Sequence, residues 1–150
     1  MSASVDERVA EKLVETLRDG QKGYDEAADR LGGAAPDVAQ RLRAIGQQRE
    51  AFADQIVSMG ADYGDDVDDH GSIAGAAHRG WVTLKDAFTG VDPKPVLEEC
   101  VRGDDHAIDA YQDAQREDGV SPGFRTLIQR QLDSVRAQRD DAQQLARQHG

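Results

Sequence analysis

The sequence predicts an all-α domain, an antiparallel bundle of helices, and three features predict it. The chain has 150 residues, so one domain over residues 1–150 can bury a sizeable core. Aromatic residues make up only 5% of the chain, which favours helices packed on helices over a β-sandwich. Four long segments repeat apolar residues at spacings of three and four, the pattern of an amphipathic helix.

The first two helices are predicted from Val5 to Leu31 and from about Pro36 to Met59. Gly32 and Gly33 follow the first apolar stripe, and a left-handed glycine is the usual way to end a helix. Pro36 is favoured in a first helical turn, and Gly60 ends the second stripe.

Residues 60–71 form a polar loop rich in turn-forming residues. Three helices are predicted after it: a short one from Ser72 to Phe88, a long one from Pro95 to Glu117, and a last one that begins at Pro122 with Ser121 as its N-cap. Short links make antiparallel neighbours, whereas the long connection makes the second and third long helices run parallel. This is the ferritin-like arrangement, with a short crossover helix between helices 2 and 3.

Charge and cysteine content exclude several classes of function. The net charge is −11 and no basic cluster occurs, which argues against binding to nucleic acid or to an anionic membrane surface. The single Cys100 cannot form an internal disulfide and is expected to be a small core residue. With no apolar leader or membrane-spanning stretch, the expected location is the cytoplasm.

Four polar residues lie near the middle of their helices, at positions where the stripes call for apolar ones. Arg49, Asp104, Gln131 and Gln138 could share one polar core layer, with Asp104 as the carboxylate partner that a buried Arg49 needs. Two readings remain open. The layer is either a vestigial or rebuilt ligand site, or a structural feature in which Arg49 reaches solvent and the glutamines pair with each other.

Metal ligands of the usual type are missing from the sequence. Di-iron bundles use a Glu from each of two helices and a Glu-x-x-His from each of the other two. No acid-x-x-His occurs before any of the four histidines, which are His70, His78, His106 and His149. The loop acids lack the spacing and the closing Glu of a calcium loop and are read as solvated; they are Asp65, Asp66, Asp68 and Asp69, beside His70.

The crossover helix carries His78 and Trp81, which are expected to be structural. Trp81 is predicted to pack against a bundle face, near Gly20 and Tyr24 of the first helix. Gly20 and Gly23 interrupt a helical stripe, where each costs about 1 kcal/mol relative to Ala. Close approach by another group, such as the Trp81 ring, would explain them.

Several blocks resemble those of a bacterial family of ferritin-like four-helix-bundle proteins whose function is unknown. The resemblance covers roughly residues 5–146 and rests on Asp19-Gly20-Gln21-Lys22-Gly23-Tyr24, Gln48-Arg49, Gly71-Ser72-Ile73-Ala74-Gly75, His78-Arg79-Gly80-Trp81, Glu98-Glu99-Cys100 and Arg102-Gly103-Asp104-Asp105. It implies a ferritin-like fold but no agreed activity. Members often have Glu at positions 101 and 104 and His at 139, whereas this chain has Val101, Asp104 and Arg139.

Two hypotheses of function follow. The first is a non-enzymatic, self-associating protein, a homodimer without a cofactor, that acts in a stress setting implied by the resemblance alone. The alternative is an oxidase-type or metal-binding protein with iron or manganese at an atypical site around Glu99, Asp104 and His106, completed across a dimer. The sequence indicates no particular small-molecule ligand.

Overall fold

Four long α-helices make up the computed structural model, which describes residues 4–62 and 92–149. The helices are α1 (Val5–Leu31), α2 (Pro36–Asp62), α3 (Pro93–Arg116) and α4 (Pro122–Gln148). No strand occurs in these two stretches, so the prediction of an all-α helical bundle is confirmed at this level. The predicted crossover helix lies outside the described residues, together with His70, His78, Trp81 and the loop acids.

Helix α1 ends differently from the prediction. Ser4 caps its start, because the Ser4 hydroxyl accepts a hydrogen bond from the Glu7 amide at 3.0 Å. At its other end Gly32 has a φ of −55°, which is right-handed, so the predicted left-handed glycine there is wrong. A turn over residues 32–34 follows, closed by the Ala35 amide, which donates to the Leu31 carbonyl at 2.8 Å.

The predicted limits of α2 and α3 also shift. Helix α2 continues through Gly60 to Asp62. Helix α3 starts at Pro93, two residues earlier than predicted. Its N-cap is Asp92, whose carboxylate accepts a hydrogen bond from the Lys94 amide at 3.1 Å. Pro93 fits there because the first helical residue needs no amide donor.

The α3–α4 turn is tied to the start of α1. Ser121 precedes α4 as predicted, but its side chain does not cap the helix. The Ser121 hydroxyl donates to the Asp6 carboxylate at 2.6 Å, and the Ser121 amide donates to the same carboxylate at 2.9 Å. Arg125 closes the turn from the other side by donating to the carbonyls of Gln115 and Glu117. The first turn of α1 therefore takes part in the cap of α4.

Two apolar clusters fill the space between the helices. One contains the first half of α1 and the second halves of α2 and α3, together with the α4 residues from Phe124 to Val135. The other lies at the opposite end and includes Leu31, Leu42, Leu97 and Leu145. Arg49 and Asp104 belong to neither cluster, and both are buried.

Ion pairs and hydrogen bonds across the α1–α2 seam show the register of these two helices. Arg18 contacts Asp54 at 2.9 Å, Gln21 contacts Glu50 at 3.2 Å, and Asp29 contacts Arg43 at 2.9 Å, so residue numbers fall along α2 as they rise along α1. None of the four helices is both long enough and apolar enough to cross a membrane.

Candidate functional site

The Arg49 guanidinium lies inside the bundle. Arg49 is only 1% exposed, which makes it a fully buried charged side chain. Its Nη1 donates to the Asp104 carboxylate at 2.9 Å. Its Nε and Nη2 both donate to the Gln138 side-chain carbonyl, at 3.2 and 2.9 Å. The guanidinium carbon also lies 5.3 Å from the centre of the Tyr24 ring, within cation–π distance.

Asp104 is held by two donors from two other helices. Its Oδ1 accepts from Arg49, and its Oδ2 accepts from the Tyr24 hydroxyl at 2.5 Å. The Asp104 side chain is completely buried. Tyr24, Arg49, Asp104 and Gln138, which we call the central polar network, therefore contribute one side chain from each of the four helices.

Two glycines, Gly20 on α1 and Gly46 on α2, lie beside this network and face the neighbouring helix. A methyl group on Gly20 would lie 3.6 Å from Arg49 Nη1, an ordinary contact distance, so the group that approaches Gly20 is Arg49. A methyl group on Gly46 would lie 2.9 Å from the Asp25 carboxylate, which would have to shift. The predicted contact of Gly20 with Trp81 lies outside the described residues.

Gln131 belongs to a second, separate network. Its side-chain carbonyl accepts from the Tyr111 hydroxyl at 2.7 Å. Its amide group donates to the Phe52 carbonyl and to Gln55, each at 3.1 Å. Gln138, half-buried, instead bonds Arg49, because seven residues along a helix correspond to a rise of about 10 Å.

The four predicted residues therefore lie in two networks. The prediction that Arg49 reaches solvent and that the two glutamines pair is wrong. Arg49 is buried, Gln138 bonds Arg49, and Gln131 bonds Tyr111.

The charge states of the buried groups follow from burial and from their neighbours. Burial disfavours the Arg49 cation, but attraction to Asp104 and to the two tyrosines, together with the hydrogen bond to Asp104, outweighs it and raises the pKa of Arg49. Burial also raises the pKa of Asp104, against the lowering effects of Arg49 and of the Tyr24 hydroxyl. Burial and the Asp104 charge raise the pKa of Tyr24 well above its usual value, and they do the same for Cys100. Burial therefore favours the protonated phenol and thiol at neutral pH, and the protonated thiol is the unreactive form of Cys100.

The described residues of a single chain do not assemble the alternative metal site by themselves. Glu99, buried, is paired with Arg102, and Asp104 is engaged by Arg49 and Tyr24. Glu99 and Asp104 are five residues apart and so differ by about 140° around α3, which turns Glu99 away from the central polar network. Within residues 4–62 and 92–149, no three His, Cys, Asp or Glu side chains gather as a metal site would require.

A groove lies between α2 and α4, beside the Gln131 network. Its volume is about 600 Å³, and its walls combine apolar residues such as Phe52, Met59 and Leu127 with polar ones such as Gln131 and Arg130. The hydrogen bonds of Gln131 to its neighbours already occupy both its carbonyl and its amide group. The groove thus presents no buried polar group that awaits a partner from a ligand.

Sequence reasoning missed three residues of these networks. Tyr24 was expected near Trp81 instead of at Asp104, and Tyr111 and Gln55 were not singled out. Tyr111 was visible only as part of an apolar stripe, although a buried tyrosine usually has a partner for its hydroxyl group. Gln55 is exposed and lies outside the apolar stripe of α2, and nothing in the sequence connects it with Gln131.

Residues 8–117 match the family model described as "Domain of unknown function (DUF2383)". The chain belongs to the DUF2383 family. The DUF2383 match covers Tyr24, Arg49 and Asp104 but stops before α4, which supplies Gln131 and Gln138. The chain matches no curated protein sequence and no solved structure.

Proposed function

We propose that this DUF2383 protein is a ferritin-like four-helix-bundle protein that is non-enzymatic and self-associating. The observation that carries the non-enzymatic, metal-free part of the proposal is the buried Arg49 guanidinium, a permanent cation among the side-chain oxygens of Asp104 and Gln138. Its working environment is the cytoplasm, in a stress or stationary-phase setting. Only the family resemblance suggests the stress setting.

The register of the side-chain contacts supports the ferritin-like arrangement. Residue numbers run in opposite directions across α1–α2, as described above. They also do so across α3–α4, where Asp105 meets Arg139 and Gln115 meets Gln129. The same holds across α2–α4, where Arg49 meets Gln138 and Gln55 meets Gln131. Helices α2 and α3 both oppose α4 and so run parallel, as a long crossover between them requires.

The charge balance of the central polar network supports a role without metal chemistry. Arg49 remains protonated at any physiological pH and already neutralises Asp104 at 2.9 Å. A divalent cation at Asp104 would have to displace Arg49 and leave its charge buried without a partner, at a cost of several kcal/mol. The arrangement favours a closed, structural centre.

Metal analysis of the full chain tests this part of the proposal. The protein would be produced in medium supplemented with iron and manganese, and its metal content measured by mass spectrometry. We expect substoichiometric metal and an unfolding temperature that EDTA does not change. Stoichiometric iron or manganese whose removal by chelator lowers the unfolding temperature would overturn it.

Self-association rests on apolar side chains that the described residues leave partly exposed on α1 and α2. Val9, Ile45, Val57 and Met59 are only partly buried. Val9 lies in a groove between α1 and α3, which a second copy could cover. Sedimentation velocity over a range of protein concentrations tests the proposal. We expect a species of twice the chain mass that Val9→Lys weakens. A monomer at every concentration would overturn self-association and leave the proposal about the metal-free centre standing.

A further inference from the structure

The dipeptide Asp-Gly occurs twice in the sequence, at 19–20 and at 118–119. It is chemically reactive because glycine has no side chain to block attack by its own amide nitrogen on the preceding aspartate. The two copies differ in the structure around them, so the fold should decide which of them reacts.

The first copy is held inside a helix. Asp19 and Gly20 lie in the middle of α1, and both are buried. An α-helical amide is bonded to the carbonyl four residues earlier, and the helical backbone is fixed. The Gly20 nitrogen is therefore held away from the carboxyl carbon of Asp19.

The second copy lies in the turn between α3 and α4. Asp118 and Gly119 are both exposed. Gly119 has a φ of +88°, a conformation that favours glycine. None of the backbone hydrogen bonds among the turns and caps of the described residues uses the Gly119 amide as a donor. The Gly119 nitrogen and the Asp118 carboxyl group are thus both accessible.

We propose that Asp118 is a site of spontaneous isoaspartate formation. The Gly119 nitrogen bonds to the side-chain carboxyl carbon of Asp118, and one water leaves, made of a carboxyl oxygen and the protons of the acid and the amide. A five-membered succinimide results. Water then adds to either ring carbonyl and breaks its bond to nitrogen, which returns aspartate or gives isoaspartate. No oxidant, metal or cofactor takes part.

The product would loosen the end of the bundle where the turn lies. Isoaspartate carries the main chain through the side-chain methylene and so lengthens it by one carbon between residues 117 and 119. Arg125 binds the Glu117 carbonyl just before this point. The Val5 side chain of α1 packs beside residue 119, since it lies 3.5 Å from the position that a methyl group on Gly119 would occupy. A protein carboxyl methyltransferase that acts on isoaspartyl groups is the class of enzyme expected to recognise the altered turn.

Prolonged incubation of the folded full chain at neutral pH, followed by digestion and mass spectrometry, tests the proposal. We expect isoaspartate at 118 and protection of Asp19 by more than about 100-fold, since reaction there requires local opening of a buried helix. In urea, where both copies are unfolded, the two should react at similar rates. Asp118→Glu keeps the charge but requires a larger ring, and it should abolish the signal at 118.

Two outcomes would overturn the proposal. One is a folded chain without isoaspartate at 118 although the same position reacts in urea. The other is equal reaction at 19 and 118 in the folded chain.

Discussion

Replacing Arg49 by Met should destabilise the protein severely. The substitution keeps most of the side-chain volume but leaves the Asp104 carboxylate, which is completely buried, with Tyr24 as its donor. Breaking a buried ion pair by removing one partner costs about 3–5 kcal/mol. Domains of this size have a total stability of about 5–15 kcal/mol, so the loss is a large fraction of the whole. Urea unfolding followed by circular dichroism measures it.

A double-mutant cycle separates the ion pair from the other contacts of Arg49. Asp104→Asn should cost about as much as Arg49→Met, because it leaves the guanidinium buried without a carboxylate. The double variant buries no unpaired charge, so it should be less destabilised than the sum of the two by about 3 kcal/mol.

The chain offers a matched control on the same two helices as Asp104 and Gln138. Asp105 pairs with Arg139 at 2.8 Å, but the two side chains are 53% and 25% exposed. The cycle of Asp105→Asn with Arg139→Met should give a coupling of about 0–1 kcal/mol. Equal coupling in the two cycles would refute the claim that the Arg49–Asp104 pair differs from a surface ion pair.

Three further predictions concern neighbouring contacts. Tyr24→Phe removes the second donor to the Asp104 carboxylate and should cost about 1.5–3 kcal/mol in urea unfolding. Burial and nearby carboxylates raise the pKa of Asp25 above its usual 3.8, so its charge lowers stability at neutral pH. Asp25→Asn should therefore add about 0.5 kcal/mol at pH 7 and nothing below about pH 3. Asp6→Ala removes both hydrogen bonds to Ser121 and should cost about 1–2 kcal/mol, with faster amide hydrogen exchange in the first turn of α4.

The four long helices could be predicted from the sequence because each needs only a local pattern. That pattern is an apolar stripe with residues at its ends that start or stop a helix. The sequence also predicted that Arg49 and Asp104 lie at similar heights along the bundle axis, because the height of a residue follows from its position along its helix. The rotation of one helix against another is not encoded locally. The Tyr24 hydroxyl could therefore not be assigned to Asp104, 80 residues away.

Two local predictions failed, the one for the N-cap of α4 and the one for the glycine conformation after α1. The α4 N-cap looked like a serine cap, but Ser121 binds Asp6, which is 115 residues earlier in the sequence. A left-handed glycine was expected at Gly32-Gly33 after α1, but among the described residues the glycine with a positive φ is Gly119. A glycine pair indicates that a helix ends there, but the backbone that follows determines the conformation of the glycines.

We also expect the central polar network to favour one register of the helices against each other. The apolar side chains of the two clusters could accommodate other pairings of the same helices, since aliphatic contacts are not directional. The Arg49–Asp104 pair is directional and fully buried, and sliding either helix by one turn would move the two groups apart by about 5 Å. Each charge would then be buried alone, which costs more than the ion pair itself contributes. We therefore expect the network to act mainly against wrong arrangements, since it joins one residue from each of the four helices.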